Sequence, residues 1–189
     1  MIDKLNLAVR EIQKKDIDLI ADYWLKSESD FLIQMGVDLN KIPTRVDLRL
    51  MLTEQINTSL LDKNSYALIW EFYDKQIGHT NVNNIEYGKI ATMHLHLWNS
   101  TTRNKGIGTE LIRMSLPFYF KRLKIKKLIC EPYALNSAPN KTLKKVGFKF
   151  VKKYLTTPGA LNFEQVVNRW ELTQERFISI YDRTMNHSL

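Results

Sequence analysis

The sequence has almost no cysteine: Cys130 is the only one in 189 residues, and it lies within an apolar run. A single cysteine excludes an intrachain disulfide and is typical of a small buried apolar side chain. Residues 1–6 have no apolar signal core, and no apolar run reaches the eighteen residues that a membrane-spanning helix needs. Together these absences predict a cytoplasmic protein in a reducing compartment, with no membrane partner.

Internal repeats, low-complexity segments and linkers are also absent, so the length favours one domain. We assign that domain to residues 1–172 and treat residues 173–189 as a C-terminal tail. Phe177, Ile178 and Tyr181 are at helical spacing, which predicts a terminal helix that either docks on the domain or contacts a second subunit. The oligomeric state, monomer or homodimer, stays open.

The charge is unbalanced, because 28 lysines and arginines against 20 acidic residues give a formal charge of +8. A basic surface can attract nucleic acid or anionic lipid, and it can also serve an anionic cofactor. The densest run, Lys121 to Lys127, is interpreted as a solvated helix end and loop. Basic and aromatic residues do not interleave, which disfavours a nucleic-acid partner.

Hydrophobic periodicity predicts an α+β domain with one mixed, mostly antiparallel sheet of about seven strands flanked by helices. Pro117 predicts a kink or an early stop in its helix, because it lacks a helical N–H. Residues 27–43 have no clear period and are interpreted as an irregular connection that helps to cover a binding site, since long irregular segments often carry binding function. The predicted strands are 5–12, 65–73, 76–85, 90–98, 127–131, 148–157 and 163–172, and the predicted helices are 16–26, 44–61, 106–122 and 136–146.

One stretch indicates a binding site for a nucleotide-like anion. It follows the apolar strand 90–98 and opens a helix, so the free N–H groups of the first helical turn and the helix dipole favour a pyrophosphate there. Two glycines let the backbone approach the phosphates closely. A dinucleotide fold of the Rossmann type is disfavoured, since the third glycine and the following acidic residue are missing. The stretch comprises Arg103, Asn104, Lys105, Gly106, Ile107, Gly108 and Thr109.

These residues and a second motif resemble the GNAT superfamily of acetyl-CoA-dependent N-acetyltransferases. The first match is Arg103-x-x-Gly106-x-Gly108, which is similar to that family's Arg/Gln-x-x-Gly-x-Gly/Ala signature after its fourth strand. The second runs from Asn136 to Phe148 and is similar to the family's Asn-led helix that ends in a Gly-Phe pair. The resemblance covers 90–148 well and is closest to the RimJ/RimL branch.

The resemblance implies where acetyl-CoA binds. The cofactor would lie where the fourth and fifth strands splay apart, with its pyrophosphate on the backbone of residues 103–109. The pantetheine arm would pair with the fourth strand near Leu97 and Trp98, at a β-bulge that frees N–H groups for the thioester carbonyl. Asn136 and Asn140 would contact the cofactor from the opposite wall.

The implied reaction moves an acetyl group to a primary amine by direct attack in a ternary complex. The acceptor is an amine of a small molecule or a protein N-terminus. Leu143 stands where some members have a tyrosine as general acid, and Pro139 stands where the branch often has a serine. Tyr133 and Ser137 are nearby hydroxyls that could replace the acid. The missing tyrosine also leaves an alternative open, a non-catalytic acyl-CoA-binding module.

Histidines supply the candidate bases, because an aliphatic amine with a pKa near 10 must lose a proton before it attacks. Strand alternation places His94 and His96 on one face of the strand 90–98, and the predicted hairpin places His79 across from His96. We assign His96 and His94 as candidate bases, with ordinary cross-strand polar pairs as the alternative. No fourth ligand is evident, so we expect no metal.

Overall fold

The computed structural model describes residues 6–98 and 106–181, which form seven strands and six α-helices. The strands, in chain order, are β1 Leu7–Glu11, β2 Ser65–Phe72, β3 Lys75–Glu86, β4 Ile90–Leu97, β5 Lys127–Cys130, β6 Lys149–Thr156 and β7 Gln165–Thr173. They make one sheet in the order β1-β2-β3-β4-β5-β7-β6. Only the β4–β5 pair is parallel, so the predicted mixed, mostly antiparallel α+β fold is confirmed.

Six helices flank this sheet: α1 Ile17–Lys26, α2 Ser29–Gln34, α3 Arg45–Asn57, α4 Ile107–Pro117, α5 Ser137–Val146 and α6 Gln174–Tyr181. The expected irregular connection over 27–43 is wrong in part, because α2 and a short 3-10 turn, Leu39–Lys41, lie within it. These elements are too short to show a helical period in the sequence. Within the described ranges, every helix lacks the length and apolar character needed to cross a bilayer.

Side-chain chemistry fixes the start of α3 and the end of α4, and the stop expected at Pro117 is confirmed. The amide of Asp47 donates to the Thr44 hydroxyl, and the amide of Thr44 donates to the Asp47 carboxylate at 3.2 Å, which is a capping box that starts α3. α4 ends at Pro117, and the chain continues as a π-helical turn, Phe118–Arg122. The proline cannot donate the next helical hydrogen bond, so the α-helical pattern stops there.

The two faces of the sheet carry separate apolar cores. Leu68 and Trp70 of β2 point to one core, which α4, α5 and α6 cover. Ala67 and Ile69, which alternate with them along the strand, point to the other core beneath α1 and α3. This alternation follows from the strand period of two, and a sheet buried on both faces holds its strands rigidly.

The terminal helix α6 packs on the domain. Phe177 is buried and stacks on Phe120 with ring centroids 4.6 Å apart. Tyr181 Oη donates to the carbonyl of Val146 at 2.6 Å. The helical character expected after residue 172 is therefore present through residue 181. The boundary drawn between residues 172 and 173 stays a prediction.

The parallel pair separates after three residues, which opens the sheet. Ile90, Ala91 and Thr92 pair with Lys127, Leu128 and Ile129, and β4 then continues to Leu97 along β3 alone. The register between Asn83↔Thr92 and Gly78↔Leu97 has no shift, so the bulge implied near the end of β4 is not found in its described residues. The resulting gap is the splayed cleft that the resemblance predicted.

Candidate active site

One wall of the cleft is the beginning of α4. Gly106 has a φ of +75°, which a glycine adopts without the strain a Cβ would bring. Thr109 N–H donates to the Gly106 carbonyl at 3.0 Å, while the helix itself supplies no acceptor for the amides of Ile107 and Gly108. A Cβ on Gly108 would lie 3.3 Å from Leu97 Cδ1, so α4 packs closely on β4. The predicted Arg103, Asn104 and Lys105 lie outside the described residues.

The backbone of β4 provides the second wall. Trp98 N–H donates to Ile77 C=O of β3 at 2.9 Å, which directs the backbone of Trp98 away from the cleft. Because backbone groups alternate along an antiparallel strand, those of Leu97 and Leu95 point toward the cleft. The Trp98 amide is thus bonded within the sheet and the Leu97 backbone faces the cleft, and the contact of either residue with a pantetheine arm stays a prediction. The geometry suits an extended polar chain lying along β4.

A cavity of about 100 Å³ lies between the separated ends of β4 and β5. Its walls come from β4, the residues after β5, the start of α5, the α2 region and the β6–β7 connection. The structure thus brings all three predicted catalytic residues to one cavity, together with Asn136 of the predicted cofactor set. The lining residues are Met35, Val37, Met93, His94, Leu95, His96, Cys130, Glu131, Pro132, Tyr133, Asn136, Pro139, Pro158, Asn162 and Gln165.

The histidines lie on the face of β4 that the alternation predicted. His79 pairs with His96 across the strands, and their rings stack with centroids 4.5 Å apart. His79 is 3% exposed and does not line the cavity, whereas His94 and His96 are half-buried and do. The expected cluster of three neighbouring histidines is confirmed, and two of them can meet a substrate.

Burial sets the protonation of this cluster. It lowers the pKa of His79 to about 3 and that of His94 to about 4, from an ordinary 6.5. Burial, with the neighbouring His79 and His94, also holds the pKa of His96 well below its usual range. Nearby Glu131 partly opposes the lowering of the His94 pKa. All three rings are therefore neutral at pH 7, which leaves them able to accept a proton but weakly basic.

An aromatic cluster from α1 fixes the orientation of these rings. Trp98 Nε1–H donates to His79 Nδ1 at 2.7 Å, which puts the proton of neutral His79 on Nε2. Tyr23 Oη lies 3.2 Å from His96 Nδ1 and donates to Met35 Sδ at 3.4 Å. A hydroxyl both donates and accepts, so either tautomer of His96 can make this contact with Tyr23. Sequence reasoning missed Tyr23 in this role, because nothing in the helix period relates it to β4.

Glu131 is a second site residue that sequence reasoning missed. It directly follows β5, its side chain is 11% exposed, and it is the only carboxylate among the described residues of the cavity wall. Tyr154 Oη donates to its Oε1, and Arg169 Nη1 donates to the same oxygen at 3.1 Å. Both contacts use Oε1, which leaves Oε2 for a ligand. The sequence signal that could have identified Glu131 is its position, since it is a carboxylate at the end of the strand that separates from β4.

Tyr133 and Asn136 lie on the far side of the cavity. Tyr133 forms an isolated bridge with Val167, and its ring contacts Phe163 edge to face at 6.0 Å. Asn136 occupies the position before α5, and its side chain makes no capping hydrogen bond to that helix. A phenol and an amide side chain are therefore held at the cavity wall. Leu143, where the resemblance led us to look for a tyrosine, is fully buried in the core and cannot take part.

The Asn140 side chain is occupied by protein partners. Its Nδ2 donates to the carbonyls of Tyr133 at 3.2 Å and Asn136 at 2.7 Å. Its Oδ1 accepts from Asn168 Nδ2 at 2.9 Å and Trp170 Nε1 at 2.8 Å. An asparagine amide has two donor hydrogens and two acceptor lone pairs, so these four bonds use its full capacity. Asn140 therefore ties the loop after β5 to β7, and its predicted contact with a cofactor stays a prediction.

Comparison with known proteins gives a family and a fold. A sequence model described as "Acetyltransferase (GNAT) domain" matches residues 6–149. No curated protein sequence matches the chain. Among solved structures, the chain is similar to RimL, a ribosomal-protein alpha-N-acetyltransferase in complex with coenzyme A, at 17% identity and a TM-score of 0.71 over 89% of this chain and 94% of that one.

Two further structures with other acceptors are similar as well. Spermidine N-acetyltransferase from Vibrio cholerae, in complex with CoA and spermine, has 15% identity and a TM-score of 0.75 over 93% of this chain and 99% of that one. Aminoglycoside acetyltransferase AAC(6')-Ib, in complex with coenzyme A, has 15% identity and a TM-score of 0.71 over 92% and 98%. At these identities the likeness shows a common fold, and the three acceptors named differ from one another.

Proposed function

Because this chain belongs to the GNAT family of acetyltransferases, we propose that the cavity between β4 and β5 is where a primary amine takes the acetyl group of acetyl-CoA. The carrying observation is that β4 and β5 separate after Thr92 and Ile129, so that the β4 backbone, two histidines and Glu131 surround one space. The protein is an acyltransferase of this family with acetyl-CoA as its cosubstrate. The chemistry of its acceptor amine has to be inferred from the residues of the site.

The residues of the cleft fit a long anionic cofactor. The α4 N-terminus offers the amides of Gly106, Ile107 and Gly108 to a pyrophosphate, and Gly106 has the φ of +75° that a glycine adopts without strain. We propose that the predicted Arg103, Asn104 and Lys105 complete this cradle, and that the predicted Thr109, whose amide donates to the Gly106 carbonyl, contributes its side chain. The arm of the cofactor would then follow Leu97 and Leu95 toward the cavity, with the Asn136 side chain opposite. Acetyl-CoA, when bound, supplies the activated acetyl thioester.

Glu131 and His94 provide the place for the amine. An aliphatic amine arrives as an ammonium ion, and the Glu131 carboxylate is the one negative charge on the described cavity wall. The ammonium must lose a proton before it can attack. We propose that Glu131 Oε2 holds the ammonium and that its single proton passes, directly or through water, to one of two neighbouring acceptors, Glu131 or neutral His94. His96, which contacts Tyr23, is a further candidate acceptor on the same strand.

Tyr133 is the candidate donor to the leaving thiolate. It lines the cavity from the side opposite β4, and Asn140 holds its backbone carbonyl. Ser137, the other hydroxyl considered, is exposed and does not line the cavity. The thiolate of coenzyme A is itself a fair leaving group near neutral pH, so we expect Tyr133 to assist the transfer without being essential.

Release of free coenzyme A thiol tests this proposal. Purified protein is mixed with acetyl-CoA and a panel of primary amines and peptide N-termini, and thiol is followed with a chromogenic disulfide. Thiol release that needs both an amine and intact Gly106 supports the proposal. Thermal stabilisation by CoA without thiol release for any amine would overturn it and would identify an acyl-CoA-binding module instead.

A further inference from the structure

An apolar groove adjoins the candidate active-site cavity and has no role in the chemistry described above. It has a volume of about 340 Å³ and lies at the turn end of the β6–β7 hairpin. Leu155 of β6 pairs with Val166 of β7, and the amide of Ala134 donates to the Val166 carbonyl at 2.8 Å, which brings the loop after β5 alongside. The full lining is Tyr133, Ala134, Leu135, Lys153, Leu155, Phe163, Glu164, Gln165 and Val166.

Exposed apolar side chains are concentrated in this groove. Leu135 is 77% exposed, Leu155 59% and Val166 36%. Single exposed apolar residues are ordinary, but several that share one concave surface mark a place where apolar material binds. The groove also has Tyr133 and Gln165 in common with the catalytic cavity, so its contents would be neighbours of the reacting amine.

The small size of the catalytic cavity requires such a neighbour. Its volume of about 100 Å³ holds the reacting end of an acceptor, whereas sites for whole ligands of drug size occupy roughly 300 Å³ or more. The remainder of the acceptor must therefore lie outside the cavity. Since Tyr133 and Gln165 line both spaces, the groove is a neighbouring surface that can receive it.

The charges on both walls limit that remainder to a neutral body. The cavity contains one carboxylate, Glu131, and Arg169 already pairs with it. The groove contains Glu164 together with Lys153, so its formal charges cancel. Glu164 is the acidic residue that a second ammonium would meet in the groove, and Lys153 offsets its charge, so the lost hydration of that ammonium would be poorly compensated. The whole chain is also basic, with a formal charge of +8, and repels polycations.

We infer that the acceptor is an amine with a single positive charge carried on an apolar body, and that the Leu135–Leu155–Val166 groove binds that body. This inference rests on the proposed function, because it assumes that Glu131 receives the amine. The same chemistry occurs in free arylalkylamines and in peptides that begin with an apolar residue. Polyamines and aminoglycosides, which carry several ammonium groups, are predicted to be poor acceptors.

Paired amines test this inference. Ethylamine and 2-phenylethylamine share the reacting end and differ in the apolar body, and the dipeptide amides Gly-Ala and Phe-Ala form a second pair. We expect kcat/KM to be about tenfold or more higher for the apolar member of at least one pair, and higher than for spermidine. Preference within only the free amines or only the peptides identifies the source of the acceptor.

Two variants of β6 locate the apolar body. Leu155→Glu should raise the KM for the preferred apolar acceptor about tenfold and leave the KM for ethylamine unchanged. Val151→Glu is the matched control, because Val151 is 49% exposed on the same strand and lies outside the groove. Three results would overturn the inference. The first is an equal loss of activity with the apolar acceptor in both variants, and the second is a raised KM for acetyl-CoA in Leu155→Glu. The third is dissociation of a dimer while the preference among acceptors is unchanged.

The two levels of proposal fail differently. If no amine or peptide releases thiol, the proposed function fails and the acceptor inference fails with it. If ethylamine and 2-phenylethylamine react equally, or spermidine reacts best, acetyl transfer stands and the inference about the apolar body is wrong.

Discussion

The two faces of β4 differ in what they do, although their residues alternate along one strand. Ala91 and Met93 are almost fully buried and share a core with Ile107 and Leu111 of α4. The other face presents His94 and His96 to the cavity, with Tyr23 behind them. One face thus anchors the helix whose N-terminus is proposed to hold the phosphates, and the other forms the wall where the amine reacts.

The difference shows how a rigid strand can serve both purposes. The apolar face gains stability from close packing, so any change of volume there is costly. The histidine face is buried mostly by aromatic rings, and its protonation is set by the same burial. Substitutions on the two faces should therefore separate the stability of the fold from the rate of acetyl transfer.

The largest effect is expected at the α4 N-terminus. Gly106→Glu places a carboxylate and a Cβ where phosphate would bind, at a residue with a φ of +75°. We predict complete loss of CoA-induced thermal stabilisation and of thiol release. Gly88→Glu is a matched control, since Gly88 has the same φ of +75° in open space at the β3–β4 turn. Loss of CoA binding in both variants would show backbone strain instead of phosphate contact.

Glu131→Gln should lower kcat/KM for the amine by about 100-fold, because the amide neither attracts an ammonium ion nor accepts its proton as a carboxylate does. Steady-state kinetics at pH 7.5 measure this effect, with KM for acetyl-CoA unchanged. Glu171→Gln is the control, since Glu171 also pairs with Arg169 but does not line the cavity. Rates for Glu131→Gln within twofold of the unaltered protein would remove this carboxylate from the reaction.

Tyr23→Phe should lower kcat a few-fold and destabilise the fold by about 1 kcal/mol, the usual loss for one hydrogen bond. The ring still packs, but His96 Nδ1 loses its hydrogen-bond partner. Kinetics and urea unfolding measure the two effects. Tyr66→Phe is the control, as its hydroxyl bonds Glu11 outside the cavity. An unchanged kcat in Tyr23→Phe with normal folding would contradict the assigned orientation of His96.

Stability should fall as the pH drops below the ordinary histidine pKa. Burial lowers the pKa of His79 to about 3, so between pH 6.5 and that value the unfolded chain binds a proton that the folded chain does not. The contribution is complete above pH 6.5 and is lost progressively below it. In His79→Gln, the difference in unfolding free energy between pH 7 and pH 5 should shrink. An identical difference in both proteins, measured by urea titration, would contradict the buried neutral state of His79.

The smallest effect on turnover is expected on the apolar side of the sheet. Leu111→Ala should destabilise the protein by about 2–5 kcal/mol, because it leaves a cavity in a fully buried position. The rate of acetyl transfer per folded molecule should stay the same, as measured by kinetics at a temperature well below unfolding. Met114→Ala, at a 37% exposed position of the same helix, should change neither property. A slower rate in folded Leu111→Ala would mean that the two faces are coupled.

Sequence patterns predicted those parts of the fold that depend on neighbours along the chain. The order of elements along the chain, the mixed sheet and the histidine face all follow from local periodicity and from a helix joining two strands. The αL glycine that starts α4 and the αL glycine after α5 were visible as motifs. Periodicity failed for α2, whose six residues are too few to show a repeat, and for the end of α3, which stops at Asn57 before the predicted Leu61.

Strand alternation and helix-start chemistry act over a few residues, so the sequence alone predicts a mixed sheet, a glycine turn that opens a helix and two histidines on one strand face. The splay of β4 and β5 was expected from the family resemblance. The packing of separate elements places Glu131 in the cavity wall, brings Tyr23 against His96 and bonds the Asn140 side chain fully to protein groups. These contacts join residues that lie between 4 and 73 positions apart, such as Asn136 with Asn140 and Tyr23 with His96. Most of them depend on how separate elements pack, which no local pattern records.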